Sequence, residues 1–260
     1  MIDFTGVSRP FFQRIFDREL RAAEAIEAGQ RKLLAGLVAS ARKTVWGVEH
    51  GFTNITSYED YAASVPVTPY DRLRPYVMRM VNGDTDVLWP GATLRFAQSS
   101  GTSDGKSKYI PITRRGLARC HYAGAAFSLA AYLHHHGDSH IFGGKNFILG
   151  GSFANELTLR KGVKVGDLSA TLIDRINPLV NLVRIPPKKV ALMADWQHKL
   201  PALVEASAKA DIRSISGVPS WFLTVLKNVL ASRGCTNIHQ VWPNLEVFFH
   251  GGIAFGPYRE

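Results

Sequence analysis

Apolar residues at helical spacing dominate the first third of the chain. They predict two helical pieces over residues 10–43, with a break near Gly29. A helix capped near Ser57 and another over residues 71–81 follow, and the second is expected to end at an Asn-Gly pair. Residues 8–83 are therefore predicted to form a helical region.

The pattern changes after residue 90, where extended segments at 93–97 and 109–112 predict a hairpin over residues 93–112. Beyond it, short apolar strands alternate with helices, which is typical of an α/β fold over residues 113–260. The predicted strands lie at residues 145–150, 212–216 and 245–249, and the predicted helices at 113–133, 168–176, 196–209 and 219–232. The strand at 245–249 is expected to be buried.

Composition narrows the class of protein. With 46 % apolar and 20 % charged residues in 260, the chain is expected to be globular. Neither a signal sequence nor an apolar run long enough for a bilayer is evident, so we expect no membrane association. Two cysteines provide no disulfide framework, which favours the cytoplasm, and Cys120 is interpreted as a buried thiol.

The net charge of +10 is scattered along the chain, without a basic run or a nucleic-acid motif. It therefore indicates anionic small-molecule substrates rather than nucleic acid. Three consecutive histidines, 134–136, point in different directions on a helix, so we expect a solvated helix end and no metal site.

The loop inside the predicted hairpin carries most of the candidate chemistry. Residues 99–108 contain four serines, one threonine, two glycines and two lysines. Hydroxyls, backbone N–H groups and ammonium charges together suit a phosphate. The sequence therefore predicts a phosphate-binding loop.

Three chemistries use a loop of this composition. A lipase-like elbow would use Ser103 as nucleophile, and a Walker A loop would start at Gly101, but both need a helix directly after the loop. Residues 109–112 are extended instead, which favours the hydroxyl-rich loop of acyl-adenylate-forming enzymes. A serine hydrolase and a non-catalytic nucleotide- or acyl-binding module remain alternatives.

Residues on both sides of the loop match a known family. They are Thr44, Gly47, His50, Gly51, Phe52, Ser57, Tyr58, Tyr61, Val65, Pro66, Ser99 to Ser103, Lys108, Pro111, Thr113 and the run from His250 to Arg259. With these motifs the chain resembles the Gretchen-Hagen (auxin-responsive promoter) family of acyl acid amido synthetases, a branch of the acyl-adenylate-forming superfamily. Gly256 departs from the acidic residue expected there.

The resemblance implies an α/β fold, the large N-terminal domain of an adenylate-forming enzyme, in which mixed sheets pack with helices. Residues 1–260 would be the N-terminal portion of the adenylation domain, incomplete at the C-terminus and lacking the C-terminal lid. The implied activity uses ATP and Mg²⁺ to activate a small carboxylic acid as an acyl-adenylate, which an amino acid amine then attacks. We expect that this chain alone does not complete the ligase reaction.

Site residues follow from the same resemblance, and no catalytic residue is assigned. The phosphate-binding residues are Ser99, Ser100, Gly101, Thr102, Ser103 and Lys108. The adenine-binding residues are Gly251, Gly252 and Ile253, and the acyl pocket is formed by Val218, Pro219, Trp221 and His121. Ordinary core packing is an equal alternative for Trp221 and the favoured one for His121.

Overall fold

The computed structural model describes residues 2–99 and 107–258. It divides the chain into two compact units. The hairpin unit comprises Arg14–Ala130 and Asn155–Gly166, and the parallel-sheet unit comprises Met1–Gln13, Ala131–Ala154 and Asp167–Glu260.

Helices and strands are numbered here in chain order. The helices are α1 (Thr5–Glu24), α2 (Ile26–Ala41), α3 (Val45–Glu49), α4 (Tyr58–Ser64), α5 (Tyr70–Val81), α6 (Arg114–Gly116), α7 (Tyr122–His135), α8 (Leu168–Arg175), α9 (Val180–Val183), α10 (Lys188–Ala191), α11 (Trp196–Ala208) and α12 (Pro219–Arg233). The strands are β1 (Arg95–Ser99), β2 (Lys108–Pro111), β3 (Lys145–Ile148), β4 (Lys164–Gly166), β5 (Arg184–Ile185), β6 (Ile212–Gly217) and β7 (Val247–His250).

The predicted helical region is confirmed, with one correction at its break. Helices α1 and α2 are separated at Ala25, and α2 continues through Gly29. A single glycine weakens a helix by only about 1 kcal/mol, which the rest of α2 tolerates. Ser57 caps α4 as predicted, because its hydroxyl accepts the Asp60 N–H at 3.0 Å.

The hairpin unit contains a three-stranded sheet in the order β2-β1-β4. Strands β1 and β2 are antiparallel, with Ser99 opposite Lys108, so the predicted hairpin is confirmed. Strand β4 lies parallel to β1 and was not predicted, because its three residues carry too short a pattern to read. Phe96 and Val165, both fully buried, pack with Met80 of α5 in the core of this unit.

Helix α5 also supports the edge of this sheet through Tyr70. The backbone N–H of Tyr109 in β2 donates to the Tyr70 hydroxyl at 2.5 Å, and this hydroxyl donates to the Tyr109 carbonyl at 3.1 Å. The two bonds satisfy backbone groups that an edge strand would otherwise leave without a strand partner. Nothing in the sequence pattern singled out Tyr70.

The parallel-sheet unit contains a four-stranded sheet in the order β5-β3-β6-β7, with every neighbouring pair parallel. Its core includes Phe147, Phe222 and Trp242, and the Trp242 indole donates to the Ser207 carbonyl at 3.0 Å. The expectation that β7 is buried was wrong. Its residues are half-buried or exposed, because β7 has a partner on one side only within the described residues.

Thr113 begins the predicted long helix, which runs from α6 to α7 through a π-helical turn at Leu117–His121. Cys120 lies in this turn and is exposed, so its interpretation as a buried thiol was wrong. Leu117 is the buried residue of the turn. The interpretation rested on the general tendency of free cysteines to be buried, which does not hold at this position.

The three histidines lie at the exposed C-terminal end of α7, as predicted. The carbonyls there are bound by Arg9, whose guanidinium donates to Leu133 at 2.8 Å and to His136 at 3.0 Å. Across residues 2–99 and 107–258, no helix combines the length and the apolar character needed to cross a membrane.

Asp3 ties the start of α1 to the segment that precedes β3. One carboxylate oxygen accepts the Thr5 hydroxyl at 2.6 Å and the Thr5 N–H at 2.8 Å, and the other oxygen contacts His140 Nδ1 at 2.6 Å. These bonds, first that from the Thr5 hydroxyl and then that to His140, lower the pKa of Asp3 to about 2.

Replacing Asp3 with Asn is expected to lower the free energy of unfolding at pH 7 by about 1 kcal/mol, since the partly exposed carboxylate is screened by water. The lowered pKa means that this stabilisation is present above the ordinary value of 3.8 and disappears as the pH falls through about 2. Urea denaturation of the wild type and of Asp3→Asn at pH 7 and at pH 2 measures this contribution to the free energy of unfolding. The exposed Glu205→Gln serves as control, and an equal effect of Asp3→Asn at pH 7 and pH 2 would contradict the assignment.

Replacing Tyr70 with Phe is expected to lower the free energy of unfolding by about 1–2 kcal/mol, because both bonds to Tyr109 are lost. The matched control is Tyr58→Phe, since Tyr58 is 60 % exposed, and we expect a change within about 0.5 kcal/mol. Denaturant unfolding of the two variants tests this difference. Equal values for both variants would show that the Tyr70 bonds do not stabilise β2.

Candidate functional site

The predicted phosphate loop connects two paired strands. Ser99 ends β1 and Lys108 begins β2 directly opposite it. Four of the predicted phosphate-binding residues, Ser100, Gly101, Thr102 and Ser103, lie outside the described residues. Because a strand and not a helix follows the loop, as the sequence predicted, the geometry of a lipase elbow or a Walker A loop is absent after residue 107.

Two side-chain contacts define the base of this loop. The ammonium group of Lys108 lies 5.8 Å from the centre of the Tyr70 ring, within the range of a cation–π interaction. The side-chain amide of Gln98 donates to the Ser107 hydroxyl at 2.9 Å. Among the described residues the Gln98 side-chain oxygen is buried and has no hydrogen-bond partner. Within residues 2–99 and 107–258, the base of the loop therefore combines the Lys108 ammonium group, placed against the Tyr70 ring, with a buried amide oxygen of Gln98 that accepts no hydrogen bond.

A second group of predicted site residues lies at the carboxyl edge of the parallel sheet. Strands β3, β6 and β7 are parallel, so their carboxyl ends meet at one edge, where α/β sheets bind ligands. Gly217 pairs with His250 across β6 and β7, and the next residues on each strand are Val218 and Gly251. The structure thus brings residues predicted for the acyl pocket and for adenine binding next to one another.

The glycine turn after β7 is open on one side and tight on the other. A Cβ atom on Gly251 would meet no atom within 4 Å, whereas one on Gly252 would lie 3.3 Å from a methyl group of Val218. Gly252 also has a φ of +86°, which glycine adopts without strain. The next residue, Ile253, is 40 % exposed. The turn is therefore open beside Gly251 and in contact with Val218 beside Gly252.

Trp221 lies in the first turn of α12, which begins at Pro219 directly after this edge. It is 38 % exposed and does not belong to the core of the unit. The ring of Trp196, 37 % exposed, lies with its centre 6.4 Å from the centre of the Trp221 ring. Sequence reasoning missed Trp196, because a tryptophan at a helix start carries no spacing signal.

His121, the remaining predicted acyl-pocket residue, belongs to the π-helical turn of the hairpin unit and is half-buried. Val218, Pro219 and Trp221 all belong to the parallel-sheet unit. The predicted set is therefore divided between the two units.

Lys199 lies beneath the turn that follows β3. Its side chain is 2 % exposed, and its ammonium group donates to the Gly150 carbonyl at 2.6 Å. Burial lowers the pKa of Lys199, and the nearby negative charge of Asp167 raises it in part. No sequence motif pointed to this lysine.

Residues 2–99 and 107–258 contain no cluster of metal-ligating side chains. Across both described stretches, no group of three or more His, Cys, Asp or Glu side chains could hold a metal ion. Carboxylate oxygens are the ligands that Mg²⁺ takes from proteins, so no step is assigned to this ion here.

Comparison with known proteins places these features in a family. The sequence model of the GH3 family N-terminal domain matches residues 18–204. The probable indole-3-acetic acid-amido synthetase GH3.2 of Oryza sativa subsp. japonica is 34 % identical over 94 residues, which are 36 % of this chain and 15 % of that protein. The jasmonoyl–L-amino acid synthetase GH3.5 of the same plant is 30 % identical over 98 residues, 37 % of this chain and 16 % of that protein.

Solved structures give the same assignment at the level of the fold. GH3.15 acyl acid amido synthetase matches with a TM-score of 0.63 and 19 % identity, over 77 % of this chain and 35 % of that chain. A structure titled AtGH3.15 acyl acid amido synthetase in complex with 2,4-DB matches with the same TM-score and 21 % identity, over 78 % and 35 %. The predicted α/β fold is confirmed, because it matches the fold of these GH3 structures.

This chain thus spans a minor part of the length of each of these relatives. The family match nevertheless covers most of its residues, including both strands of the hairpin and α11 up to Val204. The protein therefore belongs to the Gretchen-Hagen (GH3) family, of which it carries the N-terminal domain.

Proposed function

We propose that this chain is the nucleotide- and acid-binding part of an ATP-dependent acyl acid ligase. In the proposed reaction a carboxylic acid is activated as an acyl-adenylate and then transferred to the amine of an amino acid. The observation that carries the proposal is the family match over residues 18–204, which includes the hydroxyl-rich loop between β1 and β2.

The first half-reaction needs the triphosphate to be held while the acid reacts. A carboxylate oxygen attacks the α-phosphorus of ATP, the new O–P bond forms and the bond to pyrophosphate breaks. Negative charge accumulates on the leaving phosphates, and hydroxyls, amides and an ammonium group stabilise it. We assign this role to Ser99, Ser100, Gly101, Thr102, Ser103 and Lys108. In the second half-reaction the amine attacks the acyl carbon, loses a proton and displaces AMP.

We assign adenine to the turn formed by Gly251, Gly252 and Ile253, because this turn is open and apolar. The acyl group is assigned to Val218, Pro219 and Trp221, which adjoin that turn. This assignment gives the base and the acid neighbouring positions at one edge of the parallel sheet.

The named activities of the relatives support the substrate class. Two relatives are named as an indole-3-acetic acid-amido synthetase and a jasmonoyl–L-amino acid synthetase, and one solved relative is in complex with 2,4-DB. All of these names describe small organic acids or their amides with amino acids. We therefore propose a small carboxylic acid and an amino acid as the substrates of the whole protein, with Mg²⁺ bound to the phosphates of ATP.

The test of the loop is ATP binding, measured by calorimetry. Ser100→Ala and Lys108→Met are each expected to weaken the affinity about tenfold, because each removes a donor to a charged phosphate. The matched control is Ser128→Ala, which removes an exposed serine of α7 and should leave the affinity unchanged. Equal ATP affinities in all three variants would contradict the proposed phosphate site.

Exchange of radioactive pyrophosphate into ATP, dependent on an added acid such as indole-3-acetate, tests the first half-reaction in the whole protein. ATP binding without exchange would favour the non-catalytic binding module. Ester hydrolysis that disappears in Ser103→Ala would favour the serine hydrolase instead.

A further inference from the structure

A buried lysine fixes the turn that ends the central strand β3. The Lys199 ammonium donates to the Gly150 carbonyl at 2.6 Å and contacts the Gly151 carbonyl at 3.4 Å. These glycines follow β3 at the carboxyl edge described above. Lys199 belongs to α11 and follows Gly150 by 49 residues in the chain.

The opposite side of the same turn is also fixed. The Gly151 N–H donates to the Ser169 hydroxyl at 2.9 Å, and the Ser152 N–H donates to the Asp167 carboxylate at 2.8 Å. A Cβ atom on Gly151 would lie 1.9 Å from an oxygen of Asp167, so only glycine fits there. The turn is therefore held between α11 on one side and the start of α8 on the other.

Packing alone does not account for an ammonium group at this position. Within the described residues, no carboxylate lies in ion-pair range of Lys199, although its side chain is almost fully buried. Burying a cation without an ion-pair partner is costly, and an apolar side chain of similar length would fill the space at lower cost. The charge is therefore explained by the carbonyls that it binds, together with the nearby negative charge of Asp167.

Lys199 also lies within cation–π range of Trp196, one member of the exposed aromatic pair. Its ammonium group lies 6.0 Å from the centre of the Trp196 ring, and this ring is the neighbour of Trp221. One buried cation thus lies close to both the backbone turn after β3 and the aromatic surface at the start of α11. Because both belong to the parallel-sheet unit, the arrangement is complete within that unit.

We propose that Lys199 is a positioning residue for the carboxyl edge, which holds the Gly150–Gly151 turn and the Trp196 ring in the arrangement that binds nucleotide and acid. The inference rests on the proposed function for the identity of the ligands. It does not require Lys199 to touch them, since the side chain is covered by the turn that it binds.

The experiment compares Lys199→Met, Lys199→Arg and Lys209→Met in the whole protein. Methionine keeps the length of the side chain and removes the charge, arginine keeps a charged donor, and Lys209 is an exposed lysine just after the same helix. ATP affinity is measured by calorimetry at a temperature where circular dichroism shows every variant to be folded. Amide hydrogen exchange of a peptide covering residues 147–153 is measured without ligand.

Lys199→Met is expected to weaken ATP binding about tenfold and to accelerate exchange in this peptide, because the turn loses its charged donor. Lys199→Arg is expected to recover most of the affinity, and Lys209→Met to match the wild type. A purely structural role would lower the melting temperature of Lys199→Met and leave the affinity of the folded variant unchanged.

Two outcomes separate this inference from the proposed function. If the wild type binds ATP and the folded Lys199→Met binds it equally well, the inference is overturned and the proposed function stands. If the wild type binds no ATP, the proposed function fails, and unchanged exchange over residues 147–153 in Lys199→Met then overturns the inference as well. Faster exchange confined to that peptide supports the positioning of the turn.

Discussion

The parallel alignment of β3, β6 and β7 is the constraint on which the candidate site depends. Parallel strands end at the same edge, so the turns that follow them are forced together although they are far apart in sequence. Gly217 opposite His250 sets the register, and that register places Val218 against Gly252. A change of register would separate these residues and would remove the open turn from the edge.

Hydrogen bonds from side chains fix the turn after β3, which lies at the same edge. The turn after β3 has its backbone groups bound by Lys199, Ser169 and Asp167, which belong to two different helices or their starts. Such a turn has little freedom to rearrange, since a buried polar group without its partner costs about 1–3 kcal/mol. The edge is therefore a preformed surface, which reduces the ordering that a ligand must impose when it binds.

The hairpin unit presents a simpler arrangement, because its loop joins adjacent antiparallel strands. The pairing of Ser99 with Lys108 closes the loop, and Tyr70 binds the outer edge of β2. Local pattern is sufficient to predict such a hairpin, since both strands and the loop are contiguous in the chain. Cys120 is exposed in the π-helical turn, because the general preference of free cysteines for burial does not determine which face of a helix a particular cysteine occupies.

The sequence by itself determined the hairpin, the caps at Ser57 and Thr113, most helices and the family, because these depend on local spacing and on motifs. Only the tertiary structure decided which distant residues share an edge, that β7 is half-exposed, and that Lys199 is buried beneath a glycine turn. The physical reason is that strand order and register, which no local pattern encodes, set the distances between side chains from separate segments.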